Sequence, residues 1–161
     1  MQRPWRRALA VRLSIHLAFG AALPAQACWD DAAQRYQVSS ALLYAIARTE
    51  SGLNPQAVGR NGNGSRDIGL MQINSSWLPT LASHGINERD LFEPCINIHV
   101  GAWILAGNVS RLGYTWDAVG AYNAASPALR RAYIEKVRRH LPALPSASAP
   151  LARRMTFASL R

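Results

Sequence analysis

Two carboxylates, Glu50 and Asp67, have the residue types and surroundings to do chemistry. Glu50 follows Leu42, Leu43 and Ile46, apolar positions spaced by three and four, so it falls on the apolar face of a helix and at its carboxyl end. Both placements oppose ionisation: an apolar face excludes water, and a helix C-terminus presents negative partial charge. A carboxyl group treated this way keeps its proton near neutrality, as a general acid must. The position also suits an exposed glutamate that simply ends a helix. Asp67 comes seventeen residues later, after the turn signals Asn61-Gly62 and Asn63-Gly64 and before an apolar segment. A helix end facing a hairpin across a cleft could set the two carboxylates around a sugar oxygen, one protonated and one ionised. Glycoside cleavage uses such a pair. The competing reading of Asp67 is a turn residue, capping locally or paired with Arg60 or Arg66.

The elements that must position these groups are mostly helical. Trp29–Tyr36 reads as a first helix, and Ser39 caps the second, whose stripe of Leu42, Leu43, Ile46 and Ala47 runs into Glu50. From Ser51 to Arg66 the chain turns to Gly, Asn and Pro. Asp67–Asn74 then reads as a short strand or extended segment after a hairpin. Helical pattern returns at Ser76–Ser83, and Asn87 with Asp90 resembles the cap of a short helical turn. Pro94 opens a long helix to about Arg111, Thr115 caps Trp116–Tyr122, and Ser126-Pro127 opens a last helix ending near His140. The expected fold is mostly α, with a small β-hairpin lining a cleft.

With 161 residues, nearly half of them hydrophobic, the chain supports one domain with a real core. The net charge of +9 is unevenly placed. Arg3, Arg6, Arg7 and Arg12 precede an apolar run, Leu13–Leu23, which leads to Pro24 and the small-residue site Ala25-Gln26-Ala27. That is the order of a secretory signal peptide cut before Cys28. The run is about half the roughly 20 residues of a spanning helix, and Ala25 and Gln26 do not suit a lipoprotein signal. Export puts Cys28 and Cys95 in an oxidising compartment, where they are expected to form a disulfide. A second basic cluster comes late, at Arg130, Arg131, Lys136, Arg138 and Arg139 and then Arg153, Arg154 and Arg161. Between Arg130 and Arg139 only Tyr133 is an interleaved aromatic, which makes a poor nucleic-acid surface. Residues 141–161 carry three prolines and no periodicity, and read as a flexible tail.

Three short motifs carry a resemblance. Glu50-Ser51-Gly52, Gly69-Leu70-Met71-Gln72-Ile73-Asn74 and Ala121-Tyr122-Asn123-Ala124 resemble, in order and spacing, the signatures of the soluble lytic transglycosylases. The likeness covers roughly Cys28 to His140. Within the family the chain is most similar to small enzymes that accompany type III secretion, type IV pilus and conjugation machines. The resemblance implies a lysozyme-like, mostly α-helical fold and peptidoglycan glycan strands as substrate. The bond cleaved would be the β-1,4 bond between N-acetylmuramic acid and N-acetylglucosamine. Glu50 matches the family's catalytic acid/base, and the product would be a 1,6-anhydro sugar. Met71, Gln72, Tyr122 and Asn123 match positions that line the cleft. Ser51 and Asn74, within the same motifs, are expected to join them in binding substrate. No cofactor is implied, and no His/Cys cluster has metal-ligand spacing.

Two departures matter. The third motif usually ends in Gly where this chain has Ala125, which would strain the loop before Ser126 if a positive φ is needed there. Many lytic transglycosylases also have no second carboxylate near Asp67. The stretch from Asn63 to Ser75 instead resembles the active-site strand of c-type lysozymes, in which the matching Asp is a nucleophile and the enzyme a hydrolase. A wall-binding module that no longer cuts is the reading from another class, and an acid at a buried helix end argues against it. The expected compartment is the periplasm, with no stable membrane span after cleavage of the leader.

Overall fold

A computed structural model describes residues 25–142. Six α-helices are arranged around a three-stranded antiparallel sheet: α1 Ala25–Tyr36, α2 Ser40–Ser51, α3 Leu78–Ala82, α4 Pro94–Leu112, α5 Trp116–Gly120 and α6 Pro127–Arg138. The strands are β1 Val58–Arg60, β2 Arg66–Ile68 and β3 Ile73–Asn74, and two short 3₁₀ turns lie at Ser75–Trp77 and Arg89–Phe92. This is the mostly helical, lysozyme-like architecture that the sequence implies.

The helix signals act as expected. Ser39 Oγ accepts the Leu42 N–H, Thr115 Oγ1 accepts that of Ala118, and Ser126 Oγ accepts that of Leu129. Asp90 accepts the Asn87 N–H while Asn87 accepts that of Arg89, a reciprocal cap on the second 3₁₀ turn. Helix α2 ends at Gly52, whose φ of +64° lets its N–H turn back onto the carbonyls of Ala47 and Arg48. Some boundaries differ. Helix α1 begins at Ala25, three residues before the expected leader cleavage point, and α5 stops at Gly120. The remainder of the expected leader, and the tail beyond Pro142, lie outside the described residues. Leu141 packs on the core.

The core joins helix and sheet. Leu43, Ile46, Ile68, Met71, Ile73, Leu91, Ile98, Leu105 and Val137 are all but fully buried together. Truncating any of the leucines or isoleucines among them to Ala would cost about 2–5 kcal/mol. Helix α4 is central: α1 packs along it, and α2, α5 and β3 also touch it. Cys28 and Cys95 join α1 to the first turn of α4, with Cα atoms 5.3 Å apart and 67 positions apart in sequence.

The segment 67–74 departs from expectation. It is two strands, β2 and β3, folded back through a turn, with Ile68 opposite Ile73 and Asp67 opposite Asn74. The turn needs Gly69 at φ +76° and Gln72 at φ +50°. A β-carbon on Gly69 would drive into the Leu91 carbonyl and the Asn97 side chain. Asn97, fully buried on α4, holds this turn from inside. Its amide donates to the carbonyls of Ile68 (2.9 Å) and Leu91 (2.7 Å), and its oxygen accepts the Met71 N–H (2.7 Å). The first hairpin turns through 61–64, where the Asn61 N–H donates to the Ser65 carbonyl at 2.9 Å.

Candidate active site

Glu50 sits in the last turn of α2, half-buried, and its Oε1 accepts a 2.5 Å hydrogen bond from the Tyr133 hydroxyl. Burial pushes its carboxyl from the usual 4.5 up to about 7, and the negative charge of Asp67 adds to the rise. The Tyr133 bond and the positive charge of Lys136 oppose it and are outweighed. Tyr133, itself buried beside Glu50, holds its phenolic proton far above neutrality and therefore remains the donor. With Oε1 taken, Oε2 is the oxygen left open to a proton.

Asp67 occupies the middle of β2. Its Oδ1 accepts from the Asn74 amide at 2.7 Å and its Oδ2 from the Asn61 amide at 2.9 Å. Both amides also donate to Ser65 Oγ, at 3.0 and 3.1 Å, and that hydroxyl donates to Asn63 Oδ1. Every amide hydrogen of the pair is thus spent holding Asp67 and its frame. Two donors on two oxygens suit a carboxylate.

Glu50 and Asp67 line one cleft of about 550 Å³, together with Asn61, Gln72, Asn74, Trp77, Ile104, Tyr122 and Asn123. A cavity of about 640 Å³ elsewhere, between Tyr36, Ile96, His99 and Trp103, is lined by no carboxylate. Tyr122 donates to the Met71 carbonyl at 3.0 Å, and burial together with both carboxylates pushes its ionisation well above the usual phenol range. It is a fixed neutral wall. Gln72 spends its amide hydrogens on the carbonyls of Gly69 and Ala57. Trp77 meets Trp103 edge to face, ring centroids 5.2 Å apart, and gives the cleft an aromatic side.

Six of the eight residues singled out from the sequence therefore share the cleft: Glu50, Asp67, Gln72, Asn74, Tyr122 and Asn123. Ser51 and Met71 are placed as scaffold. The Ser51 hydroxyl donates to the Leu70 carbonyl at 2.6 Å and accepts the Asn54 N–H at 3.1 Å, tying α2 to the turn after β2. Met71 is fully buried against Gly101, whose missing β-carbon makes room for it and for Tyr122. Ala125 has no positive φ, so the departure from Gly there carries no backbone strain. Sequence reasoning missed Asn61 and Ser65 as supports of Asp67, because Asn-Gly reads first as a turn. It also missed Trp77, and Tyr133 as partner of Glu50.

The three motifs converge here: one ends α2, one forms the turn between β2 and β3, and one follows α5. The family model for the transglycosylase SLT domain matches residues 27–140. The chain is 45% identical over 127 residues to invasion protein IagB of Salmonella typhimurium, covering 76% of this chain and 79% of that one. It is 46% identical over 100 residues to protein IpgF of Shigella flexneri, covering 62% of this chain and 66% of that one. A putative peptidoglycan-binding-like protein of Escherichia coli is 36% identical over 129 residues, with 73% and 82% covered. In fold, the chain is similar to an X-ray structure of an inactive mutant of lytic transglycosylase Slt from Pseudomonas aeruginosa. The TM-score is 0.59 at 24% identity, over 71% of this chain and 23% of that longer one. Motifs, cleft and family match agree: this chain belongs to the transglycosylase SLT domain family, the peptidoglycan lytic transglycosylases.

Proposed function

We propose that the enzyme cleaves the β-1,4 bond between N-acetylmuramic acid and N-acetylglucosamine with Glu50 as acid and then base. Glu50 gives its Oε2 proton to the bridging oxygen as the bond from the anomeric carbon breaks. The resulting carboxylate then takes the proton of the muramyl 6-hydroxyl, whose oxygen closes on the anomeric carbon. The product is a 1,6-anhydro sugar, and no water is consumed. Asp67 lies across the cleft as the negative group that stabilises the oxocarbenium-like transition state. The observation that carries this reading is a glutamate held half-protonated near neutrality, in one cleft with a carboxylate that amide donors keep in place.

That second carboxylate also favours another reading, a hydrolase of the same bond in which Asp67 attacks or water reaches the anomeric carbon first. Mass analysis of muropeptides released from sacculi decides between them. Anhydro ends are one water lighter than reducing muramic acid ends, and a binding module releases neither. Anhydro products are the expected result.

Residues 1–27 serve, in this proposal, as a cleavable leader, 28–140 as the enzyme delivered to the periplasm, and 141–161 as a basic tail. No described helix is long and apolar enough to cross a membrane. Intact mass of exported protein should show a chain starting at Cys28. The name invasion protein carried by the Salmonella relative suits a local opening of the wall for a secretion apparatus. Deletion of the gene should then leave secretion through the wall impaired and bulk wall turnover unchanged.

A further inference from the structure

A second groove, of about 380 Å³, meets the cleft at Glu50 and Asn123, which line both. Its own walls are Leu129, Ala132, Tyr133 and Lys136 of α6, Thr49 of α2 and the small side chains of Ala124 and Ala125. Lys136 is the only lysine of the chain and has no ion-pair partner among the described residues. Leu129 is 63% exposed, an apolar surface left open beside that ammonium group.

In the proposed reaction the sugar whose anomeric carbon gains positive charge lies in the cleft between Glu50 and Asp67. The second groove, which opens from that cleft at Glu50 and Asn123, offers a path for the leaving part of the strand. Every second sugar of a wall strand bears a lactyl group extended by a short peptide, first a small apolar residue and then residues with free carboxylates. A groove that sets alanines and an exposed leucine beside one unpaired ammonium complements such a stem in size and charge.

We propose that Lys136 is a specificity residue that receives a carboxylate of the peptide stem on the leaving part of the strand. This rests on the cleft being a site for wall-glycan cleavage. The enzyme thereby prefers strands that still carry their peptides.

The test compares uncrosslinked strands bearing peptides with the same strands stripped of them by an amidase, using wild type, Lys136→Met and Lys136→Arg. The readout is the ratio of kcat/KM on the two substrates. Wild type should favour the peptide-bearing strand. Lys136→Met should lower that ratio about three- to fivefold, the size a water-exposed ion pair sustains, and Lys136→Arg should keep it. High salt should shrink the wild-type ratio by screening. A ratio unchanged in Lys136→Met overturns the proposal, even if both rates fall together, since Lys136 would then act only through the charge it presents to Glu50. Failure of the wild type to cut either strand overturns the reading of the cleft itself, and the role of Lys136 with it.

Discussion

Tyr133 donates its phenolic hydrogen to Oε1 of Glu50 at 2.5 Å, so the acid at the end of α2 is held by a residue of α6, 83 positions later. The bond favours the ionised form of Glu50 and so restrains the rise that burial imposes. Tyr133→Phe removes that restraint. Protonated Glu50 should then persist to higher pH, moving the alkaline limb of the pH–rate profile above its wild-type position near 7. The rate at the optimum should fall roughly tenfold as the carboxyl loses its fixed orientation. An unmoved limb would show that the bond does not tune the acid.

Glu50→Gln should abolish cleavage, since an amide has no proton to give. Losses of roughly 10²–10⁴-fold are typical when a general acid is removed. The same variant tests the burial argument through stability. Because the folded-state carboxyl is raised from 4.5 to about 7, the wild type binds more protons folded than unfolded between those values. Its stability is therefore full below about pH 4.5 and falls as pH rises through 7. The loss is on the order of 3 kcal/mol, reduced by solvent screening at this half-buried group. Gln cannot ionise. Chemical denaturation should show Glu50→Gln gaining on wild type between pH 5 and pH 8, and parallel stabilities across that range would contradict the burial of Glu50.

Asp67→Asn keeps the shape of the β2 side chain but removes its charge. Activity should drop roughly 100-fold, as expected for lost transition-state electrostatics, with a small loss of stability because the new amide nitrogen faces an Asn donor. Asn74→Ala should also slow catalysis, because Asp67 loses its Oδ1 donor. It should cost stability too, because Asn74 Oδ1 accepts the Ser76 N–H at the start of the 3₁₀ turn. Full activity in Asp67→Asn would reduce Asp67 to a turn residue.

Asn97→Leu keeps the branched outline of the side chain but is apolar, and should destabilise the fold by about 3–5 kcal/mol. It strands the Met71 N–H and the carbonyls of Ile68 and Leu91 in the interior, each worth roughly 1–3 kcal/mol when unpaired. Equilibrium unfolding measures this directly; a change below about 1 kcal/mol would mean that water replaces the amide.

What could be read from the sequence was local. The three-and-four spacing of Leu42, Leu43 and Ile46 marks a buried helix face, Ser39, Thr115 and Ser126 mark helix starts, and the Asn-Gly pairs mark a hairpin. What escaped was set by distant partners. Nothing adjacent to Tyr133 indicates that it reaches Glu50, and Asn97 lies in an apolar helix with no local sign of what it binds. The fold-back between β2 and β3 escaped because Gln72 adopts a positive φ, a conformation that tertiary contacts impose and residue type does not announce.

In the proposed mechanism, the pairing of Asp67 with Asn74 makes the length of the turn between β2 and β3 matter for catalysis. Side chains along a strand alternate between faces. A slip of one residue in this short ladder would turn Ile68 toward the cleft and bury the carboxylate where Ile68 packs. With only two residue pairs joining the strands, the ladder itself resists such a slip weakly. Alignment is set by the four residues Gly69–Gln72, clamped from behind by Asn97. An insertion in that turn would therefore erase the second carboxylate without changing a single cleft residue.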